Sequence, residues 1–328
     1  MGRGTYQVWL ESKEQIDTSH GPKDDETTVS RGLGAEAGGG GMKIRNFLCI
    51  AVCLNSAAAL LGPASFASDF QSPRTLSLGG AGHAGPLLND SIYLNPAFGS
   101  FLPSYAFALN YTTFSGPSLD GVNDYHGRLY NVSVQDGRSE LFQAGVGFTQ
   151  REDTRALHIG ASKAVIKQLG FGLGAKFFFP PDSFGNPVKD MSFSIGALPL
   201  DWLQVSLLID NLIEPDPIKA MNLYREIVLG TKFNFLGSAM LYIDPHYMPS
   251  LAQPYGHEIG LEITMFADLF FRLGLFKNAT LGYIADRGRG YGLGIGWIGP
   301  RLSLDYAFSR VLEPHDSIAH SFSATIFF

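Results

Sequence analysis

The sequence predicts an all-β protein: a closed antiparallel transmembrane β-barrel of about 14 strands, preceded by a periplasmic hatch-like segment that plugs it. Three observations carry this. Only 16% of the 328 residues are charged, while 39 glycines and 25 phenylalanines are present; a soluble chain normally carries about a quarter charged residues. After residue 68 there is no run of about 18 apolar residues, which excludes a bundle of membrane helices. The apolar residues recur instead at period two, as strands with one greasy face require. The net charge of −6 argues against nucleic acid as a partner.

The N-terminal 67 residues are set aside first. Residues 1–41 are polar, lack periodicity and end in Gly38-Gly39-Gly40-Gly41; Met42 reads as the true start, making them a mis-called upstream extension. Lys43 and Arg45 then precede the apolar run Phe47 to Leu61, and Ser65-Phe66-Ala67 supplies a small-x-small site. This is the pattern of a secretory signal peptide over 42–67, with cleavage after Ala67. A membrane anchor would need a longer run followed by stop-transfer charges. Cys49 and Cys53 both fall within the signal, so the mature chain has no cysteine for a disulfide or thiolate site.

Residues 68–103 do not alternate, and residues 104–328 form the barrel. Strands are expected at 104–114, 126–135, 140–150, 154–165, 169–179, 190–198 and 201–210, then at 222–235, 237–244, 255–265, 267–276, 289–298, 300–309 and 318–328. In Tyr105-Ala106-Phe107-Ala108-Leu109-Asn110-Tyr111, for example, every second residue is large and apolar. A soluble sandwich would alternate too. The quantity of aromatic surface and the scarcity of Lys and Glu opposite it favour lipid on the greasy side.

The connections test the assignment. Asp136-Gly137, Lys167-Gln168, Pro199-Leu200, Leu236-Gly237, Phe266-Ala267 and Gly299-Pro300 are tight, whereas 115–125, 180–189, 211–221, 245–254, 277–288 and 310–317 are longer and rich in Pro, Gly and Asp. Short periplasmic turns alternating with longer outer loops place both chain ends in the periplasm. Arg151-Glu152-Asp153 is the exception, a tight turn where a loop is expected. An open edge cannot persist in hydrocarbon, so the last strand must pair with the first. The terminal Phe328 is similar to the signal by which the barrel-assembly machinery of Gram-negative bacteria recognises its clients.

The run Thr75-Leu76-Ser77-Leu78-Gly79-Gly80-Ala81-Gly82-His83-Ala84-Gly85, followed by Asp90-Ser91-Ile92-Tyr93-Leu94-Asn95-Pro96-Ala97, resembles the start of the FadL-like outer-membrane proteins. These include fatty-acid transporters, aromatic-hydrocarbon channels and PorV-type secretion-associated barrels. The resemblance implies a hatch inside the lumen formed by Gly79, Gly80, Gly82, Asn95, Pro96 and Ala97. Glycine permits close backbone approach and Asn-Pro sets a turn; a flexible periplasmic leader is the alternative. Val205 to Leu212 looks like a PorV-type strand end, as do Gly260-Leu261-Glu262, Phe271-Arg272-Leu273-Gly274 and Leu304-Asp305-Tyr306-Ala307. The chain departs from the fatty-acid transporters in its shorter length and shorter outer loops.

Other fragments carry less. Gly290-x-Gly292-x-Gly294-x-Gly296 lies on a strand and opens no helix, so it is no nucleotide loop; it would leave lumen space beside the hatch. Asp244-Pro245-His246 and His257-Glu258 lack a second convergent pair at a recognised spacing, so they read as polar loop residues, with no metal or cofactor expected. No nucleophile motif accompanies His158 or His320, so no enzyme is expected.

By parity Lys176, Glu226, Lys232, Glu258, Glu262, Arg272 and Asp305 face the lumen, with Glu262 and Arg272 able to pair across the turn at Phe266-Ala267. Buried charges demand partners or water. They read as ion pairs bracing the wall and holding the hatch rather than as a permeation filter. Two functions remain: a passive channel or transporter for small hydrophobic molecules, or a non-conducting membrane anchor or secretion/assembly-associated barrel. Expected partners are outer-membrane lipid, the assembly machinery and, for the channel, a hydrophobic small molecule.

Overall fold

The computed structural model describes residues 70–117, 124–151, 154–179, 187–220, 223–266, 268–279 and 287–328. The upstream extension, the signal peptide and its cleavage site lie outside these residues, as do parts of several connections.

Among the described residues fourteen strands close into one antiparallel barrel in which each strand pairs with its sequence neighbours and β1 pairs with β14. They are β1 (Tyr105–Pro117), β2 (Asp124–Asp136), β3 (Gln143–Arg151), β4 (Arg155–Ile166), β5 (Leu169–Phe179), β6 (Val188–Leu200) and β7 (Leu203–Asp210). The circuit continues with β8 (Glu226–Phe235), β9 (Ala239–Tyr247), β10 (Tyr255–Phe266), β11 (Leu269–Ala279), β12 (Gly288–Ile298), β13 (Leu302–Glu313) and β14 (Ser317–Phe327). Closure runs from Ala106↔Phe327 to Ser115↔Ile318, and the Phe328 N–H donates to the Tyr105 carbonyl at 3.0 Å. No N–H row is left open to hydrocarbon between the first and last strands, which is what makes the sheet tenable there.

The period-two pattern sorts the faces. Leu109, Ile159, Leu173, Leu207, Leu229, Ile259, Leu273, Ile295, Leu304 and Phe322 are exposed on the outer face, whereas Asn110, Asn131, Ser133, Ser194, Ser303 and Ser321 are buried inside. An apolar exterior with a polar interior inverts a soluble core and defines a transmembrane barrel. No helix among the described residues is long and apolar enough to cross a membrane.

Several boundaries differ from the sequence reading, and for one reason. β9 runs on to Tyr247, β11 to Ala279 and β13 to Glu313, so the connection between β13 and β14 is only 314–316. Ladder pairing continues past the apolar band, where the outer face no longer needs to be greasy and alternation fades. Conversely, β3 begins at Gln143, leaving 137–142 rather than a tight turn after β2; the Gly137 N–H bonds the Ser104 carbonyl instead. The β6–β7 turn is Asp201-Trp202, two residues beyond the expected Pro199-Leu200. At the β8–β9 turn, Leu236 and Gly237 take successive positive φ values of 54° and 73°, the twist that short hairpins prefer.

Residues before β1 form short helical pieces: α1 (Pro73–Ser77), a 3-10 turn (Leu88–Asp90), α2 (Ser91–Leu94) and a longer 3-10 turn (Pro96–Phe101). α1 is capped by Ser72, which accepts from the Thr75 N–H, with Pro73 at its first position. Phe70 packs with Phe114, Leu129, Phe276 and Val311, all near the barrel end that carries the longer connections. From there the segment descends to Leu102, beside the tight-turn end. In the connection after β7 lies α3 (Asp216–Ala220).

Candidate functional site

The inner wall is cut to admit this segment. A Cβ added to Gly292 would meet the Leu76 carbonyl, one on Gly274 would meet Leu78 and Gly79, and one on Gly172 would meet Pro96 and Ala97. Gly172 on β5, Gly274 on β11 and Gly292 on β12 are therefore places where the segment's backbone passes against the wall.

The residues singled out as a hatch sit within this packing. Asn95 is fully buried; its Oδ1 accepts from the Ala97 N–H at 3.2 Å and its Nδ2 donates to the His83 carbonyl at 2.8 Å. Pro96 opens the 3-10 turn, where its missing N–H costs nothing. The Ala97 N–H also reaches Ser194 Oγ at 3.0 Å. Gly80 has φ +94°, and a side chain there would run into the Glu258 carboxylate. The Gly82 N–H donates to Asp244 Oδ2 at 2.7 Å.

Three groups of buried charge face the lumen. In the first, Arg272 Nε donates to Glu262 Oε2 at 2.6 Å and its Nη1 to Asp305 Oδ1 at 2.6 Å. Arg74, from α1, joins through Nε to Glu262 Oε2 at 3.1 Å and through Nη2 to the Tyr242 hydroxyl at 2.7 Å. Lys232 lies 5.5 Å from the centre of the Tyr242 ring.

In the second group, Lys176 Nζ donates to Asp210 Oδ2 at 2.6 Å and Asn211 Oδ1 at 3.3 Å. The third gathers at the β8–β10 wall. Asp244 Oδ2 accepts from the His83 N–H at 2.9 Å and contacts His83 Nδ1 at 3.0 Å. Glu226 Oε1 lies 2.7 Å from His246 Nδ1 and 3.7 Å from Arg287. Glu258 Oε2 lies 3.3 Å from His246 Nε2 and 3.9 Å from His83 Nδ1.

Within the segment, burial pushes the Asp90 carboxyl up to about 6, against the pull of Arg74. Burial works against a charged His83, yet its hydrogen bond to Asp244 leaves the imidazole above its ordinary value.

The reading of His246 as a loop residue is corrected here, and Glu258, read both as loop polarity and as a lumen-facing strand residue, is the latter. Both lie on strands and point inward: Glu258 pairs in register with Asp244, and Gly256 with His246. Their convergent partner is His83, far away in sequence, so local spacing could not reveal it. Sequence reasoning also missed Arg74, Asp244, Arg287 and Asp210 as partners. One signal was available: between Phe70 and Ser104 the charged side chains are Arg74 and Asp90, beside His83, and a segment inside a barrel must pair such groups. His158 stacks edge-on to Tyr93 and Phe178, and His320 meets the Tyr306 hydroxyl at 2.9 Å on the outer face.

Between the segment and the wall, two cavities of about 30 and 50 Å³ are lined by both polar and apolar groups. They suit single waters, being far below the roughly 300 Å³ of ordinary ligand pockets.

No protein-family model matches the chain, and no curated protein matches it. Solved structures do share its fold. A Pseudomonas aeruginosa FadL homologue has 11% sequence identity and a TM-score of 0.54 over 81% of this chain and 99% of its own. The Ralstonia pickettii toluene transporter TbuX has 12% identity and a TM-score of 0.53 over 79% and 99%. The Pseudomonas putida toluene transporter TodX has 11% identity and a TM-score of 0.53 over 81% and 99%. At such identities the likeness is one of fold. The chain has the fold of the FadL-like outer-membrane β-barrels.

Proposed function

We propose that this barrel is a gated passive passage through the outer membrane for small hydrophobic molecules, with the segment from Phe70 to Phe101 as its hatch. The observation that carries this reading is how the lumen is filled. A separable piece of chain, seated in glycine-cleared channels by polar and ionic bonds, occupies space that the wall leaves open. Moving that piece would open a path without disturbing the hydrogen-bonded barrel. The fold likeness to proteins described as toluene transporters points to an apolar solute. The leader at 42–67 would deliver the chain to the periplasm. Phe328, exposed at the end of the closing strand, would be the end that the assembly machinery engages.

The test compares the refolded mature barrel with a variant lacking residues 75–98, measuring single-channel conductance and uptake of a radiolabelled aromatic hydrocarbon into proteoliposomes. Slow hydrocarbon uptake by the full barrel, with higher conductance in the deletion variant, is the expected result. A second reading, a non-conducting anchor or PorV-like assembly barrel, is favoured by one observation: cavities of about 30 and 50 Å³ are too small for an aromatic ring. Full-length barrel that takes up no hydrocarbon above empty liposomes would select that reading.

A further inference from the structure

We propose that His83, His246 and Glu258 bind a divalent transition-metal ion of the zinc class, which clasps the N-terminal segment to the barrel wall. The three residues each offer one donor atom, all within 4.8 Å of one another, and all three side chains are buried. Two imidazoles and a carboxylate are the nitrogen and oxygen donors that zinc accepts, with a fourth position left for water. Tetrahedral ligands at zinc's bond lengths stand about 3.3 Å apart. His246 Nε2 and Glu258 Oε2 are 3.3 Å apart.

Two further observations point to a ligand. First, His246 Nε2 and Glu258 Oε2 are buried and, apart from facing each other at 3.3 Å, reach no other hydrogen-bond partner. Buried polar atoms need partners, and a cation shared between these two would satisfy both. Second, each imidazole is held through Nδ1 by a carboxylate other than Glu258. Asp244 holds His83 Nδ1 at 3.0 Å and Glu226 holds His246 Nδ1 at 2.7 Å. A carboxylate beside each histidine is the outer support that metal-binding imidazoles use; at His246 it leaves Nε2 facing Glu258.

Charge and space agree. Asp244, Glu258 and Glu226 bring three negative charges against the single guanidinium of Arg287, a balance that two protonated imidazoles meet and that a divalent ion would also meet on displacing those two protons. The cavity of about 50 Å³ borders His83, Glu226, His246, Glu258 and Arg287, enough for an ion and a water. Because His83 belongs to the N-terminal segment while the other ligands belong to β9 and β10, binding would tie the segment in place whether or not the barrel conducts.

The test is titration of zinc ions into refolded, metal-stripped mature barrel without a histidine tag, in competition with a chromophoric chelator. Stoichiometry is read by elemental analysis. One equivalent is expected to bind, with affinity reduced at least tenfold in His83→Gln and in His246→Gln. His257→Ala, which alters an exposed histidine beside the site, should leave it unchanged. Bound zinc should also slow proteolysis within residues 70–101. Should His246→Gln fail to refold, His83→Gln decides alone, since it alters the segment and not the wall. Absence of a stoichiometric ion, or an affinity that both glutamine variants leave intact, overturns the site.

Discussion

Arg272 and Glu262 stand opposite each other in the β10–β11 register, joined at 2.6 Å with exposures of 0% and 1%. Each also reaches a third party: Arg272 holds Asp305 on β13, and Glu262 holds Arg74 on α1. The pair therefore couples two parts of the barrel wall to the segment inside it.

Removing one member strands charge inside the lumen. Arg272→Met is expected to lower the unfolding free energy of the refolded barrel by about 3–5 kcal/mol, the usual cost of breaking a buried pair. The double variant with Glu262→Met should lose less than the sum of the two single changes. Urea unfolding followed by tryptophan fluorescence reads both; strict additivity would mean that the pair does not act as a unit.

The lipid face gives a depth-dependent outcome. Leu304 is 46% exposed on β13, next to the buried Ser303 at 1%. Phe308→Arg, on the same outward parity and midway along β13, should cost about 2–4 kcal/mol. Leu312→Arg, at the long-connection end of the same strand, should cost about 0–1 kcal/mol. Reversal of that order in vesicle-based unfolding would place the apolar band elsewhere.

Gly172 lies where the Pro96–Ala97 backbone passes the wall. Gly172→Val should leave a folded, heat-modifiable barrel while displacing the segment. Limited proteolysis with mass spectrometry should then find cuts between residues 70 and 101 that the parent barrel resists. Equal resistance in both would mean that the wall can yield around an added side chain.

Orientation is open to a direct measurement. A cysteine at Asp216, in α3 between β7 and β8, should react with a membrane-impermeant maleimide on intact cells. One at Leu236, fully exposed in the β8–β9 turn, should react only after the outer membrane is permeabilised. From Phe70 onward the sequence contains no cysteine to compete. Labelling in the opposite order would invert the topology.

The architecture was legible because a membrane barrel is specified by local rules. Side-chain parity is set by the pleat, so Leu304 outward and Ser303 inward follow from neighbouring positions alone. Closure follows from the cost of an open edge in lipid. The same reasoning fails at strand ends: beyond the apolar band neither face must be greasy, so β9 extends to include His246, which the sequence reading placed in a loop.

By itself, the sequence determined the all-β class, the strand number and the faces of the strands, and from parity it expected Lys176, Glu226, Lys232, Glu258, Glu262, Arg272 and Asp305 to point inward. Only the tertiary structure decided what those charges meet. Arg74 reaches Glu262 across 188 positions of sequence, and His83 reaches Asp244 across 161. The physical reason is that period two records a residue's face but not its distance from another strand. The inner segment has no period at all, and its course is set by where lumen glycines leave room and where buried charges find partners.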